Sequence, residues 1–63
     1  MKRGDVIRHL SDHGCELVRE GGRHSVWRNP TTGAQEAVPR HGEIGNVVVR
    51  IICRKLAIPM PKG

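Results

Sequence analysis

Residues 15–29 read CELVREGGRHSVWRN, and they predict two β-strands joined by a tight turn. Polar and apolar residues alternate over residues 15–20, which is the pattern of a half-exposed strand. Gly21 and Gly22 follow, a pair that is typical of a hairpin turn. A second alternating run covers residues 23–29. The stretch therefore predicts an antiparallel hairpin.

The chain that follows this hairpin predicts one more strand. Residues 30–33 read PTTG, a turn with proline and glycine at opposite ends. Residues 34–38 form the third predicted strand, and Pro39 stops it because proline has no N–H to donate to a sheet. Three short strands with tight turns between them predict an antiparallel meander.

The chain before the hairpin predicts a helix over residues 3–13. Val6, Ile7 and Leu10 recur at the spacing that puts them on one side of a helix. Asp5 lies near the start, where the helix dipole favours a negative charge. Gly14 stands where a left-handed cap ends a helix.

The segment of residues 47–57 has two possible structures. It is rich in β-branched residues, so that it could be a buried strand. Its length favours a helix instead, and four of its apolar residues share one helical face at i, i+3, i+4 and i+8: Val48, Ile51, Ile52 and Leu56. Asn46 can cap its start and Pro59 can end it. We predict a helix.

The predicted order is α-β-β-β-α, an α+β fold with two helices on one face of a three-stranded antiparallel sheet. The other face of the sheet is left open. Linkers, repeats and low-complexity tracts are not evident, so residues 1–63 are expected to form a single domain. A domain of this size buries only about 60% of its unfolded surface, and its stability is expected to be marginal.

The composition points to a negatively charged polymer as partner. Eleven Lys and Arg face six Asp and Glu, a net charge of +5, and most of the cations are arginine, whose planar group suits phosphate. No apolar run approaches the roughly 18 residues of a membrane span, and no signal segment is evident. Cys15 and Cys53 lie among apolar residues, away from any set with zinc-ligand spacing. A reduced cytoplasmic protein that does not enter a membrane is expected.

The second predicted strand carries the main candidate for chemistry. Alternation places His24, Val26 and Arg28 on one face, and Arg23, Ser25 and Trp27 on the other. Trp27 is the only aromatic residue and is expected to anchor the core, which leaves His24 and Arg28 on the open face. A histidine can exchange protons near neutral pH, and a neighbouring cation can hold a phosphate. A merely solvated surface histidine is the alternative.

The remaining polar candidates are less specific. His9 and His13 are one helical turn apart and could share a metal, but no carboxylate motif accompanies them, and exposed helix histidines are the better interpretation. His41 could border the open face or be an ordinary loop residue. Ser25 is predicted to point away from His24, which argues against a nucleophilic serine.

Taken in order, these segments resemble the HicA, or YcfA-like, toxin family over nearly the whole chain. The matching segments are HGC (residues 13–15), GRHSVWRNP (22–30), VPRH (38–41) and IICRKLAI (51–58). Two positions depart from the family pattern. Arg23 stands where serine usually precedes the histidine, and Cys15 stands where an aromatic residue is common.

The resemblance implies a fold similar to that of double-stranded-RNA-binding domains. It also implies a ribonuclease that cleaves mRNA without the ribosome, and a HicB antitoxin that covers the active face. The family's catalytic histidine corresponds to His24. The departure at Arg23 leaves open a member that binds RNA but cuts it poorly.

The sequence therefore predicts a toxin that is an endoribonuclease, with His24 catalytic and neither metal nor cofactor. The predicted RNA contacts are Arg23, Arg28, Arg40 and His41. RNA and a HicB-like antitoxin are the expected partners, and the free protein is expected to be a monomer. The alternatives are a non-catalytic RNA-binding module of the same fold, or a protein whose basic face serves only an acidic antitoxin.

Overall fold

A computed structural model describes residues 1–62 and confirms the α-β-β-β-α order. The three strands pair antiparallel in the order β1-β2-β3, and the two helices lie against one face. The elements are α1 (Arg3–Asp12), β1 (Glu16–Glu20), β2 (His24–Arg28), β3 (Gln35–Pro39) and α2 (Asn46–Lys55).

The turns form where the sequence predicts them. Gly14 and Gly33 have φ angles of 82° and 79°, in the left-handed region that glycine adopts at little steric cost. Gly21 is needed for a different reason. Its N–H donates to the carbonyl of His24 at 2.9 Å, and a Cβ at Gly21 would come within 2.7 Å of that oxygen. Glycine at this position therefore lets the β1–β2 hairpin close directly beside His24.

Strand β3 runs one residue further than predicted. Pro39 lies inside it and pairs with His24 of β2. The backbone N–H of Arg40 points into the sheet and donates to the carbonyl of Arg23 at 3.0 Å. Since neighbouring residues of a strand point their N–H groups in opposite directions, the nitrogen of Pro39 points out of the sheet edge, where no donor is required.

Strand β1 contains a β-bulge that breaks the predicted alternation. Leu17 pairs with Trp27 and Arg19 with Val26, so Val18 is an extra residue without a partner on β2. Beyond the bulge, Glu20 pairs with Ser25. The extra residue therefore moves Glu20 from the open face to the face that Ser25 occupies.

The core lies between the sheet and the helices, and Trp27 is in it as predicted, 7% exposed. Ser25 also points inward and is completely buried. Cys15 and Cys53 are buried free thiols, and burial raises the pKa of both. The remaining buried apolar residues are Val6, Leu10, Val38, Ile44, Val49, Ile52 and Leu56.

Residues 46–55 form a helix, as predicted, but its buried face is not the predicted one. The core side consists of Val49, Ile52 and Cys53, followed by Leu56, whereas Val48 and Ile51 are 39% and 46% exposed. The prediction of those two as core residues was wrong. The run of residues 47–53 is apolar almost all the way round the helix, so its pattern permits more than one buried face.

Both predicted ends of α2 were also wrong. Asn46 is already helical, and the preceding Gly45 occupies the N-cap position without any side-chain hydrogen bond. The helix stops at Lys55, four residues before Pro59. Leu56 is its C-cap, and Ala57 turns the chain with a φ of 57°.

Candidate functional site

His24 lies on the open face of the sheet, at the end where β2 begins and β3 finishes. It is exposed, while its neighbour Ser25 is completely buried, so the two side chains point to opposite faces. The faces of β2 are therefore those that the sequence predicts. His24 is free to meet a ligand without any rearrangement of the core.

His41 comes to the same end of the sheet as His24. Both histidines line a surface depression together with Gly22, Arg23 and Arg40. They also line an adjoining depression, whose other lining residues are Pro39, Glu43, Ile44, Gly45 and Val48. The sequence left the position of His41 undecided, and the structure places it beside His24.

Arg23 borders the first depression as well, although strict alternation places it on the opposite face. The strand starts only at His24, so Arg23 belongs to the turn, where alternation does not apply. Arg23 is exposed, and within residues 1–62 it takes part in none of the ion pairs. Its positive charge is therefore available at the rim beside His24.

A polar network connects the site to the first helix. The hydroxyl of Ser25 accepts from Nη2 of Arg3 at 2.8 Å and donates to Oε1 of Glu20, which also accepts from Arg40. Nε of Arg3 donates to the carbonyl of Pro39 at 2.9 Å. The network thus holds the guanidinium of Arg40 at the edge of the depression.

The carboxyl group of Glu20 is the one acidic group in this network. The hydrogen bond from Ser25 holds the pKa of Glu20 below its ordinary value, with further help from the charges of Arg40 and Arg3 against an opposing effect of desolvation. Glu20 and Arg3 are not among the site residues that the sequence predicts. The only signal for Glu20 was its place beside the turn, because its direction depends on the bulge.

Arg28 does not join His24. The two residues lie at opposite ends of β2, four residues apart, which is about 13 Å at the usual rise of a strand. Nη1 of Arg28 pairs with Oε1 of Glu16 at 3.0 Å. The cations beside His24 are therefore Arg23 and Arg40, and not Arg28 as the sequence predicts.

The other histidines lie on the helix side of the molecule. The rings of His9 and His13 are 4.5 Å apart, and Nε2 of His9 is 2.7 Å from the carbonyl of Pro59. Over residues 1–62, no group of three or more His, Cys, Asp and Glu side chains is arranged to hold a metal ion. In the same residues, neither helix is long and apolar enough to cross a membrane.

Comparison with known proteins supports the resemblance seen in the sequence. Neither the curated proteins nor the solved structures include a match to the chain. The family model described as the HicA toxin of bacterial toxin–antitoxin systems matches residues 3–58, which covers both helices and all three strands. A match of this extent shows that the chain belongs to the HicA toxins of bacterial toxin–antitoxin systems.

Proposed function

We propose that this toxin is an endoribonuclease that cleaves mRNA, with His24 transferring a proton in the reaction. The observation that carries the proposal is the depression that brings His24 together with Arg23, Arg40 and His41 on an exposed face. An imidazole beside guanidinium groups is suited to a phosphodiester, since one group moves protons and the others hold negative charge.

RNA is favoured as the substrate by its chemistry. Its 2′-hydroxyl is an internal nucleophile, so a protein with a few side chains on an open surface can catalyse cleavage by helping protons to move. The net charge of +5 attracts the RNA backbone. Trp27 is buried, so bases cannot stack on the only Trp, Tyr or Phe side chain, and we infer that shape and phosphate contacts carry recognition.

A toxin of this family implies an antitoxin partner. We propose a HicB-like antitoxin that covers the open face and keeps RNA away from His24. The acidic groups of such a partner would compete with RNA phosphates for Arg23 and Arg40. The free protein is expected to be a cytoplasmic monomer.

The experiment that tests this function is single-turnover RNA cleavage by the wild type and by His24→Ala. His24 is exposed, so folding should be kept, and RNA affinity should change little because the cations remain. Cleavage should fall by about 10²–10⁴-fold, the usual loss when a positioned proton-transfer group is removed. Addition of EDTA is expected to leave the rate unchanged.

The matched control is His13→Ala, which removes an exposed histidine at the end of α1 and outside both depressions. It should cleave like the wild type. Equal rates for His24→Ala and the wild type would remove His24 from the mechanism. RNA binding without cleavage by the wild type would identify the protein as a non-catalytic RNA-binding module instead.

A further inference from the structure

We propose that His41 is the second proton-transfer group of the same reaction, so that His24 and His41 act as an acid–base pair. This inference rests on the proposed function, because it assumes that the protein cleaves RNA. It assigns His41 a role beyond holding a phosphate. Cleavage through the 2′-hydroxyl needs two proton transfers, and a single histidine leaves one of them without a side chain.

The register of the sheet brings the two histidines together. His24 pairs with Pro39, and the backbone bond from Arg40 to Arg23 continues the pairing for one more residue. His41 is two residues beyond Pro39, past the end of β3, and it lines both depressions together with His24. Two imidazoles that line one surface depression can contact the same phosphate from different sides.

His41 is also held on both sides by backbone hydrogen bonds. The residue before it, Arg40, is bonded to Arg23 at 3.0 Å. The residue after it, Gly42, accepts from the N–H of Arg3 at 2.9 Å, and Ile44, which follows closely, is buried in the core. A group fixed in this way keeps its position relative to His24, as a proton-transfer group requires.

The charged groups around the pair suit a phosphodiester. Arg23 and Arg40 line the depression that both histidines share, so they can neutralise the charge that develops on phosphorus-bound oxygen. Arg40 also forms an ion pair with Glu20, and Glu43 lines the adjoining depression. Of the two arginines that line the depression, Arg23 is the one that takes part in none of the ion pairs of residues 1–62.

The proposed step balances without any co-reactant. One imidazole takes the proton of the 2′-hydroxyl as the 2′-oxygen forms its bond to phosphorus. The bond from phosphorus to the 5′-oxygen breaks, and the other histidine, as imidazolium, gives its proton to that oxygen. The products are a 2′,3′-cyclic phosphate and a 5′-hydroxyl end. The two roles are divided: one histidine is the base, and the other is the acid.

The test compares two leaving groups. An oligoribonucleotide containing the cleavage site mapped with the wild type is prepared with its natural 5′-oxygen, and again with sulfur bridging at that position. A thiolate leaves without protonation, so the sulfur substrate does not need a general acid. His24→Gln and His41→Gln should each cleave the oxygen substrate about 10²–10⁴-fold more slowly. The sulfur substrate should restore one of the two variants to within about tenfold of the wild type, and not the other.

Two controls separate proton transfer from binding and folding. Glutamine can still donate a hydrogen bond to phosphate, so affinity for a fully 2′-O-methylated RNA, which cannot be cleaved, should be close to that of the wild type. His13→Gln should behave as the wild type on both substrates. The ends of the wild-type products are an independent measurement, and a 2′,3′-cyclic phosphate with a 5′-hydroxyl is expected.

Several results would overturn the inference. Three results would exclude His41 as the second proton-transfer group and leave the proposed function standing. They are wild-type activity in His41→Gln, an equal response of both variants to the sulfur substrate, and a loss of cleavage that is explained by weaker RNA binding. A 5′-phosphate on the product would exclude attack by the 2′-hydroxyl. A wild type that binds RNA but does not cleave it would end the proposed function, and this inference with it.

Discussion

At the scale of single residues, Asn29 has the most specific structural role outside the site. It is 6% exposed, and its Nδ2 donates to the carbonyl of Leu56 at 2.7 Å. Leu56 is the C-cap of α2, so its carbonyl has no partner within the helix. The Oδ1 atom of Asn29 accepts from the N–H of Thr31 at 3.0 Å. One side chain therefore joins the β2–β3 turn to the end of a helix 27 residues away.

Replacement of this residue should destabilise the fold. Asn29→Ala leaves the carbonyl of Leu56 buried without its donor, and we expect the free energy of unfolding to fall by about 1–3 kcal/mol. Urea denaturation followed by circular dichroism measures the change. Thr32→Ala is the matched control, because Thr32 is exposed and accepts only from Ala34 within the same turn. An equal, small effect of both substitutions would contradict the role of Asn29.

At the scale of elements, the bulge in β1 determines which hydrogen bonds connect Glu20 to the site. A regular strand would turn Glu20 to the open face, beside the histidines. With Val18 bulged, Glu20 pairs with Ser25 instead and binds Ser25 and Arg40. The hydrogen bond from Ser25 lowers the pKa of Glu20, so folding favours the ionised carboxylate. A carboxylate whose pKa is lowered by folding stabilises the protein above its unfolded pKa.

The pH dependence of stability should reveal this carboxylate. Its contribution is present above the ordinary value of 4.5 and is lost as the pH falls below that value through the lowered pKa of the folded state. Glu20→Gln should therefore lose less stability than the wild type between pH 6 and pH 3, the range we would cover with urea midpoints at about one-unit steps. Glu16→Gln, on the same strand, controls for the change in net charge. Parallel curves for the wild type and Glu20→Gln would refute the account.

The two helices show how much of a helix's structure can be predicted from its local sequence pattern. Helix α1 was predicted almost to the residue, because it has one apolar stripe and a glycine at the position of its cap. Helix α2 was predicted to exist, but its buried face was misplaced by one residue, with Val49 in the core instead of Val48. A segment that is apolar on most sides has no unique stripe, so packing against the sheet determines which side is buried.

At the scale of the whole molecule, the excess of positive charge should control RNA affinity. Each phosphate contact on single-stranded RNA contributes about 0.7 to the slope of log affinity against log salt concentration. Arg23→Gln should reduce that slope by about 0.7, because Arg23 lies at the rim of the depression and outside the ion pairs of residues 1–62. Fluorescence anisotropy over a series of salt concentrations measures it.

The control for position is Arg54→Gln. Arg54 is exposed near the end of α2, on the helix side of the sheet, and its removal changes the net charge by the same amount. It should lower the overall affinity slightly and leave the slope close to that of the wild type. Equal changes of slope in the two variants would mean that RNA is held by the total charge and not by the open face.

The amino-acid sequence alone was enough to predict the order of elements, the exposed position of His24 and the buried position of Trp27. These follow from alternation, helical spacing and turn residues, which act within a few positions of the chain. The sequence did not determine which residues surround His24. The pairing of β2 with β3 brings His41 to the same end of the sheet, whereas Arg28 lies at the other end of β2. The bulge in β1 determines which face Glu20 occupies. Register, bulges and helix rotation result from packing between distant segments, so only the folded chain determines them.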